Sequence, residues 1–569
     1  MQLSYVDWIF IFAYFLINFL IGFYYRKRAT KNVNEFFVSG GKAAWWLAGT
    51  SMVATTFAAD TPLAVTGIVA RNGIAGNWIW WSMAFSGMLT VFFYAKLWRR
   101  AGVLTDVEFA EIRYSGKPAS FLRGFRAFYL GIPVNMIIMG WVNLAMIKIL
   151  SMTLGIDKIH AIYICFGIMA ITASVSTLSG LWGVLVMDFF QFILKMSMVI
   201  ALAIFAIRSV GGLSSLKVSL HNLNNSSITS FVPDLNSAWM PLITFFVYIA
   251  VNWWATWYPG AEPGGGGYVA QRIFSAKNEK HSILATFWFN IAHYAIRPWP
   301  WILVALVAVV KFSGDPAFIK DPESGYIRVM ILDLPASLRG LMIAAFAAAY
   351  MSTIGTHLNW GASYLVNDIY KRYMRKGKSD RHYVKTSQVI TIFLMIFSAI
   401  VSFYMDSIAS AWMFLMSIGA GTGLVFILRW FWWRINAWSE VSAMLCAFVV
   451  SMVLKFHFNL SLSDPRQFAY TVLITTSITT VVWLTVTFMT KPEPDEILIS
   501  FYKKVRPSST FWKPIAEKVP EIIPAKDGMY NLMDWFAGCV MIYASLFGIG
   551  KIIFGEYILG TALIILSIA

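Results

Sequence analysis

The sequence predicts an all-α integral membrane protein, and three observations carry that prediction. Of 569 residues, 58% are hydrophobic and only 13% are charged, about half the ~25% charged content of a soluble domain. Apolar runs of about 20 residues, the helical length that crosses a ~30 Å hydrocarbon layer, recur along the whole chain. Lys and Arg gather in alternate loops, falling roughly three to one on one side. A β-barrel is excluded, because barrel strands need only about 9–11 residues and alternate in polarity.

The runs lie at about 7–25, 44–70, 76–98, 125–153, 159–178, 181–207, 237–257, 284–312, 338–366, 386–406, 409–431, 438–456, 467–489 and 532–552, with a shorter one at 556–569. They give about 14–15 transmembrane helices. The first run has no basic stretch before it and is followed directly by RKRATK (26–31), so it reads as a retained span and not a cleaved signal peptide. That cluster, the basic 96–126 segment and KRYMRKGKSDRHYVK (371–385) fall on one side, which predicts an N-terminus outside and a multi-pass plasma-membrane protein, such as one of a bacterial inner membrane. The only long polar stretch, 490–531, is Pro-rich and mixed in charge, and it reads as a cytoplasmic connector on the membrane surface.

Composition also narrows the chemistry. Cys165, Cys446 and Cys539 are far apart inside apolar segments, which suggests neither a disulfide framework nor a paired metal site. The seven histidines are scattered without ligand spacing, and no paired acidic motif replaces them, so an enzyme is not expected. The net charge of +17 follows the loop asymmetry and calls for no nucleic acid.

Ionisable residues inside apolar spans are costly and mark functional candidates. Here they are Asp60, Lys148, Asp188, Lys195, His293 and Arg297. In GTSMVATTFAADTPL (49–63), Pro62 lacks a backbone donor and disfavours helix at Thr61, while Thr55, Thr56 and Thr61 offer hydroxyls in place of the helical ladder. A break at mid-membrane exposes carbonyl oxygens that suit a small hard cation; the alternative is a plain kink. In AAFAAAYMSTIGTHLNWG (344–361), Ala349, Ser352 and Thr353 share one helical face with Thr356 a turn further on, and the alanines admit a close neighbour. Asp188 can pair with a neighbouring lysine such as Lys195, and Arg297 either clamps a carboxylate or, preferably, pairs with Asp60 or Glu262.

Several stretches then resemble the sodium:solute symporter family: EFFVSGGKAAWW (35–46), LTDVEFAEIRY (104–114), TLSGLWGVLVMDFFQ (177–191), YVAQRIFSAK (268–277), and AAFAAAYMST with NDIYKRY (344–353 and 367–373). The resemblance implies a leucine-transporter-type 5+5 inverted-repeat bundle with extra N- and C-terminal helices. The first span would stand apart, repeat one would cover about 44–207 and repeat two about 237–431. Peripheral spans would occupy 438–489, completing a 1–489 symporter core, and 532–569 would return to the membrane after the connector.

The resemblance also implies residues. Sodium would be held by the Ala54 and Phe57 carbonyls, the Ala349 carbonyl, and the Ser352 and Thr353 hydroxyls. Asp188 and Thr356 match positions that serve a second sodium or the ion exit path in some members. Tyr268 takes the place of a gating tyrosine, and the 259–267 segment before it, with Pro259 and Gly264 to Gly267, reads as a flexible hinge or reshaped gate. Solute contacts are expected from Thr56, Asp60, Thr61, Trp80, Asn252, Trp253 and Ser417, an aromatic and polar set that suits a sugar or sugar derivative. The function expected is sodium-coupled symport of a small polar organic solute. The alternatives are proton coupling, an organic acid or amino acid as solute, or a transporter-like sensor. The partners implied are sodium, the solute and the lipid bilayer.

Overall fold

The computed structural model describes residues 4–29, 31–223, 226–257, 262–405, 408–522 and 527–569. Helices dominate it, and the only β pairing among the described residues is two isolated bridges. The main helices are α1 (Tyr5–Ala29), α2 (Trp45–Thr56), α3 (Thr61–Asn72), α4 (Ile74–Ala101), α5 (Gly116–Leu154), α6 (Lys158–Ser209), α7 (Leu242–Ala255), α8 (Gly267–Ser275), α9 (Glu279–Phe312), α10 (Leu338–Met374) and α11 (Asp380–Ser402). They continue with α12 (Ile408–Gly419), α13 (Gly423–Phe431), α14 (Ala437–Phe456), α15 (Pro465–Met489), α16 (Asp495–Val505), α17 (Gly528–Ile553) and α18 (Tyr557–Ile568).

Each apolar run of the sequence has a helical counterpart, and the differences have physical causes. The runs at 159–178 and 181–207 join into the 52-residue α6. At 1.5 Å per residue it would be about 78 Å long if straight, far beyond one bilayer crossing. Gly180, at φ 54° and ψ −158°, turns it into two legs, a conformation that a Cβ would oppose. The run at 409–431 is divided into α12 and α13 around Gly421, at φ 86°. The last helix, α18, has 12 residues and is about 18 Å long. It is too short to cross alone and packs back on α17.

The polar 490–531 stretch is more ordered than its composition suggests. In it, α16 buries Leu498, Phe501, Tyr502 and Val505, and Trp512 lies under the Arg113 guanidinium at 4.8 Å and donates from Nε1 to the Trp430 carbonyl. Its spaced apolar residues form one face of a short amphipathic helix, which the Pro and charge content masks.

At the centre, α6 and α10 pack along each other, with α1 against both. The alanines at 344, 347, 348 and 349 are buried, which lets α2 approach α10 closely.

Candidate functional site

The site begins where α2 stops. The Phe57 amide still bonds to the Val53 carbonyl at 2.9 Å, but the chain then leaves the ladder and re-enters at α3 with a bend of 56°. Pro62 sits in the first turn of α3, the position where a missing N–H costs nothing. The Thr61 hydroxyl reaches back to the Thr56 carbonyl at 3.3 Å. With the ladder interrupted, the carbonyls of Ala54, Thr55 and Phe57 turn to donors from other helices.

Those donors come from α10 and α6. Thr353 Oγ1 donates to the Thr55 carbonyl at 2.8 Å and lies 3.1 Å from the Ala349 carbonyl, so one hydroxyl ties α10 to the end of α2. Ser352 Oγ donates to Asp188 at 2.6 Å, and Ser51 Oγ donates to the other Asp188 oxygen at 2.5 Å. Lys195 Nζ donates to the Ala54 carbonyl at 2.8 Å and to the Phe57 carbonyl at 3.1 Å, and lies 5.1 Å from the Phe57 ring centre. Of the five groups expected to hold sodium, Thr353 and the Ala349 carbonyl meet each other and the Thr55 carbonyl at the junction of α2 and α10, Ser352 turns to Asp188, and the Ala54 and Phe57 carbonyls hold an ammonium from α6.

Neighbouring charges complete the arrangement. Arg272 on α8 donates to Ser51 Oγ at 3.1 Å and to Thr356 Oγ1 at 2.7 Å, and approaches Asp188 to 3.7 Å. The alternative pairing of Asp188 with Lys195 is not the one formed: the carboxylate lies nearest Arg272, while the lysine, two helical turns along the same face, reaches past it to the carbonyls. Asp188 and Thr356 are bridged by a guanidinium. Arg272 lies within the YVAQRIFSAK stretch, and its signal was a charge flanked by apolar residues in a short helix.

A cavity opens beside this junction, lined by Thr56, Asp60, Thr61, Trp80, Tyr268, His293 and Arg297 together with Thr353 and Trp412. Arg297 donates to the Val53 carbonyl at 3.3 Å and to Thr56 Oγ1 at 2.9 Å, and lies 3.1 Å from His293 Nε2. A guanidinium only donates, so His293 Nε2 accepts, and its proton sits on Nδ1, 2.9 Å from Thr56 Oγ1. No ion pair joins Arg297 to Asp60 or Glu262 among the described residues; Glu262 instead lies 3.8 Å from Arg126. The preferred pairing of Arg297 with a carboxylate is thereby corrected: it caps the carbonyl end of α2, where the helix dipole favours a cation. Asp60 Oδ1 is buried and has no hydrogen-bond partner among the described residues.

Four solute candidates, Thr56, Asp60, Thr61 and Trp80, line this cavity, and Trp80 stacks on Tyr294 with 24° between planes. Tyr268 lines it too, its ring edge-on to His357 and Trp360. Asn252, Trp253 and Ser417 do not reach it. Asn252 accepts from Thr256, just past the end of α7, at 2.9 Å, Trp253 packs between Phe85 and Trp535, and Ser417 donates to the Phe414 carbonyl at 2.8 Å. A π-helical turn occupies 248–252 in α7. The cavity residues that the sequence reading missed, Trp141, His357 and Trp412, carry no signal that separates them from packing residues.

The 259–267 segment begins outside the described residues, which resume at Glu262. From there it is packed and buried, contrary to the flexible-hinge reading. The Gly264 carbonyl accepts from Trp98 Nε1 at 2.7 Å, and a Cβ on Gly265 would lie 2.6 Å from Thr90 Cγ2. Its glycines allow close backbone approach and left-handed φ values of 84° and 71° at Gly264 and Gly265.

A many-helix membrane bundle with a broken helix, an adjoining oxygen cluster and an interior cavity defines a carrier, not an enzyme. The sodium:solute symporter family profile matches residues 36–447, and the chain belongs to that family. It is 23% identical to the sodium/glucose cotransporter of Vibrio parahaemolyticus over 501 residues, covering 83% of this chain and 89% of that one. It is 22% identical to the sodium/glucose cotransporter 1 of Oryctolagus cuniculus (85% and 79% covered) and 22% identical to the sodium/sialic acid symporter of Proteus mirabilis (84% and 93% covered). Its fold matches a solved sodium-coupled sialic acid symporter in an outward-open state with a TM-score of 0.69 at 19% identity, over 87% of this chain and 99% of that one. The leucine-transporter-type architecture expected from the sequence is thus the observed one, in a multi-pass membrane protein.

Proposed function

We propose that this chain is a sodium-coupled symporter that imports a small polar organic solute by alternating access. The observation that carries the reading is the junction at which Thr353 of α10 holds the Thr55 carbonyl at the broken end of α2, beside the cavity. A cation bound there joins α2 to α10, and a cation that prefers one conformation biases the carrier toward it only by that preference. Sodium is a co-substrate, driven inward at about 2.3 kcal/mol per charge per 100 mV plus its concentration term.

A sugar or sugar derivative is the solute class. Trp80 offers a ring face, Thr56 and Thr61 offer hydroxyls, and Asp60 offers an acceptor to solute hydroxyls; relatives named for glucose and sialic acid support the same class. Tyr268 acts as the gate over that solute. The N-terminus lies outside, repeat one spans about 44–207 and repeat two about 237–431 in the plasma membrane.

The test is uptake into proteoliposomes from a panel of labelled sugars, sugar acids and amino acids, with an inward sodium gradient or with choline in its place. At least one sugar-type solute is expected to accumulate only with sodium. Accumulation of none of them, or equal accumulation in choline, would overturn the reading.

A further inference from the structure

A second group of buried oxygens, where the chain passes from α7 to α8, lacks donors. Glu262 is 3% and Asn290 0% exposed, and among the described residues neither carboxylate oxygen of Glu262 nor Oδ1 of Asn290 has a hydrogen-bond partner. Both side chains line one small cavity with Thr90 of α4 and Thr286 of α9. The Thr90 and Thr286 hydroxyls donate to the Ser86 and Ser282 carbonyls of their own helices at 3.1 and 2.9 Å, so each has lone pairs left and no proton. Asn290 Nδ2 is likewise spent on the Thr286 carbonyl at 2.8 Å. Glycine is required beside these oxygens, because a Cβ on Gly87 would overlap Asn290 Oδ1 and one on Gly266 would overlap Glu262 Oε2.

Buried acceptors without donors are costly, a carboxylate above all. The neighbouring cations do not relieve that cost. Arg126 and Arg429 share Glu440 at 3.0 and 3.2 Å, and Arg126 reaches Asp106 and Glu262 only at 3.9 and 3.8 Å, so three carboxylates face two guanidiniums. Arg113, the next guanidinium, is spent on the Arg429, Trp432 and Trp433 carbonyls, and the Trp257 indole N–H that also faces Glu262 makes no hydrogen bond to it. The cavity measures about 10 Å³, room for one water or one bare cation. A water has two protons to give and three unpartnered oxygens to serve, whereas a cation is held by all of them at once. One carboxylate among neutral oxygens matches a single positive charge, and the space excludes the waters that magnesium keeps.

We propose that Glu262, Asn290, Thr90 and Thr286 form a binding site for a dehydrated monovalent cation of sodium size, separate from the junction at Thr353. The ion ties α4 and α9 to the chain between α7 and α8, and it balances the Glu262 charge while Arg126 stays with Glu440. The site goes beyond the coupled-transport reading and does not depend on it.

Binding of radioactive sodium to the purified full-length protein is measured at constant ionic strength in choline chloride, with potassium chloride as a competitor. Thr353→Ala removes a hydroxyl of the other junction and is expected to keep this site, with potassium competing weakly. Adding Glu262→Gln to Thr353→Ala should weaken sodium binding roughly ten- to a hundredfold, the loss of a charged partner. Glutamine also mimics a protonated Glu262, so binding unchanged by Glu262→Gln would mean that a proton and not a metal ion satisfies the carboxyl, and would overturn the proposal. Because interior variants can fail to fold, the second measurement uses the wild type alone: its structure in sodium, at a resolution that places waters, should show one peak between Glu262 and Asn290 that is absent in choline. The peak should lie closer to its oxygens than the ~2.7–2.8 Å of an O–H···O hydrogen bond. No peak, or a peak at hydrogen-bond distances that persists in choline, overturns the site and leaves sodium coupling standing. Uptake that ignores sodium while the peak is present would overturn the coupling and leave this site standing.

Discussion

Two buried charge clusters in this protein are built on opposite plans. At the broken helix, Lys195, Arg272 and Arg297 face Asp188 and Asp60, and they lean mainly on neutral oxygens: the Ala54, Phe57 and Val53 carbonyls and the Ser51, Thr56 and Thr356 hydroxyls. Toward the basic loops, Arg123, Arg126 and Arg429 are locked to carboxylates. Arg126 lies 3.0 Å and Arg429 3.2 Å from Glu440, and Arg123 lies 2.6 Å from both Asp368 and Glu111. Tyr114 and Tyr364 donate to Glu440 and Asp106 of the same network. Neutral ligands can be handed from one cation to another without stranding a charge, whereas a carboxylate deprived of its arginine is left buried and unpaired. The first plan suits a place where ions and solute come and go. The second suits a fastening among α5, α10, α13 and α14 that must open as a unit or not at all.

The sharpest way to break this contrast is to remove one carboxylate from the locked cluster. Glu440→Ala leaves Arg126 and Arg429 facing each other without their shared partner, and removal of one member of a buried pair costs about 3–5 kcal/mol. The expected result is a fall of that size in unfolding free energy, read as a large drop in thermal midpoint of the purified protein. A loss below about 1 kcal/mol would mean that the network is no more than a set of surface-grade pairs.

Asp60→Ala probes the other plan. Asp60 Oδ1 has no hydrogen-bond partner among the described residues, so its removal should leave the thermal midpoint nearly unchanged. A lost hydrogen bond from a solute hydroxyl to a charged acceptor is worth about 1.5–3 kcal/mol. The expected effect is a rise of roughly ten- to a hundredfold in the solute concentration for half-maximal uptake. A variant that melts early but transports with unchanged solute affinity would move Asp60 from the solute's list of partners to the fold's.

The two clusters were not equally legible. The spans follow from hydropathy alone, and the break follows from Pro62 among hydroxyls, because both depend on local chain chemistry. Ala349, Ser352 and Thr353 could be placed on one face because helical spacing is fixed. Lys195 could not be placed, since its ammonium rides on a flexible stem and spacing equally permits Asp188 or the facing carbonyls. Asn252 and Trp253 failed because their partners, Thr256 for the amide and Phe85 and Trp535 for the ring, are set by tertiary packing that an apolar run does not announce. Ser417 failed because a helical serine can satisfy itself on its own backbone, as it does on Phe414. The locked cluster was invisible as a cluster, since Arg126, Glu262 and Glu440 are brought together only by tertiary packing.

At the outer edge of the locked cluster the effect should shrink and become pH-dependent. Glu111, in the short helix Phe109–Arg113 between α4 and α5, lies 2.6 Å from Arg123 and 2.9 Å from Arg372. Partial burial pushes its carboxyl up, but hydrogen bonds and charge from Arg372 and Arg123 outweigh this and hold it below the ordinary glutamate range. A carboxyl depressed in the folded state adds stability that is fully present above its unfolded pKa, about 4.3, and is lost as pH falls through the folded value. Because Glu111 keeps contact with solvent, screening limits that contribution to about 1 kcal/mol or less. Glu111→Gln should therefore melt slightly below the wild type at pH 7, and the gap should close as the pH falls below about 4. A gap of the Glu440→Ala size, or one that does not narrow in acid, would place Glu111 inside the buried lock and not at its rim.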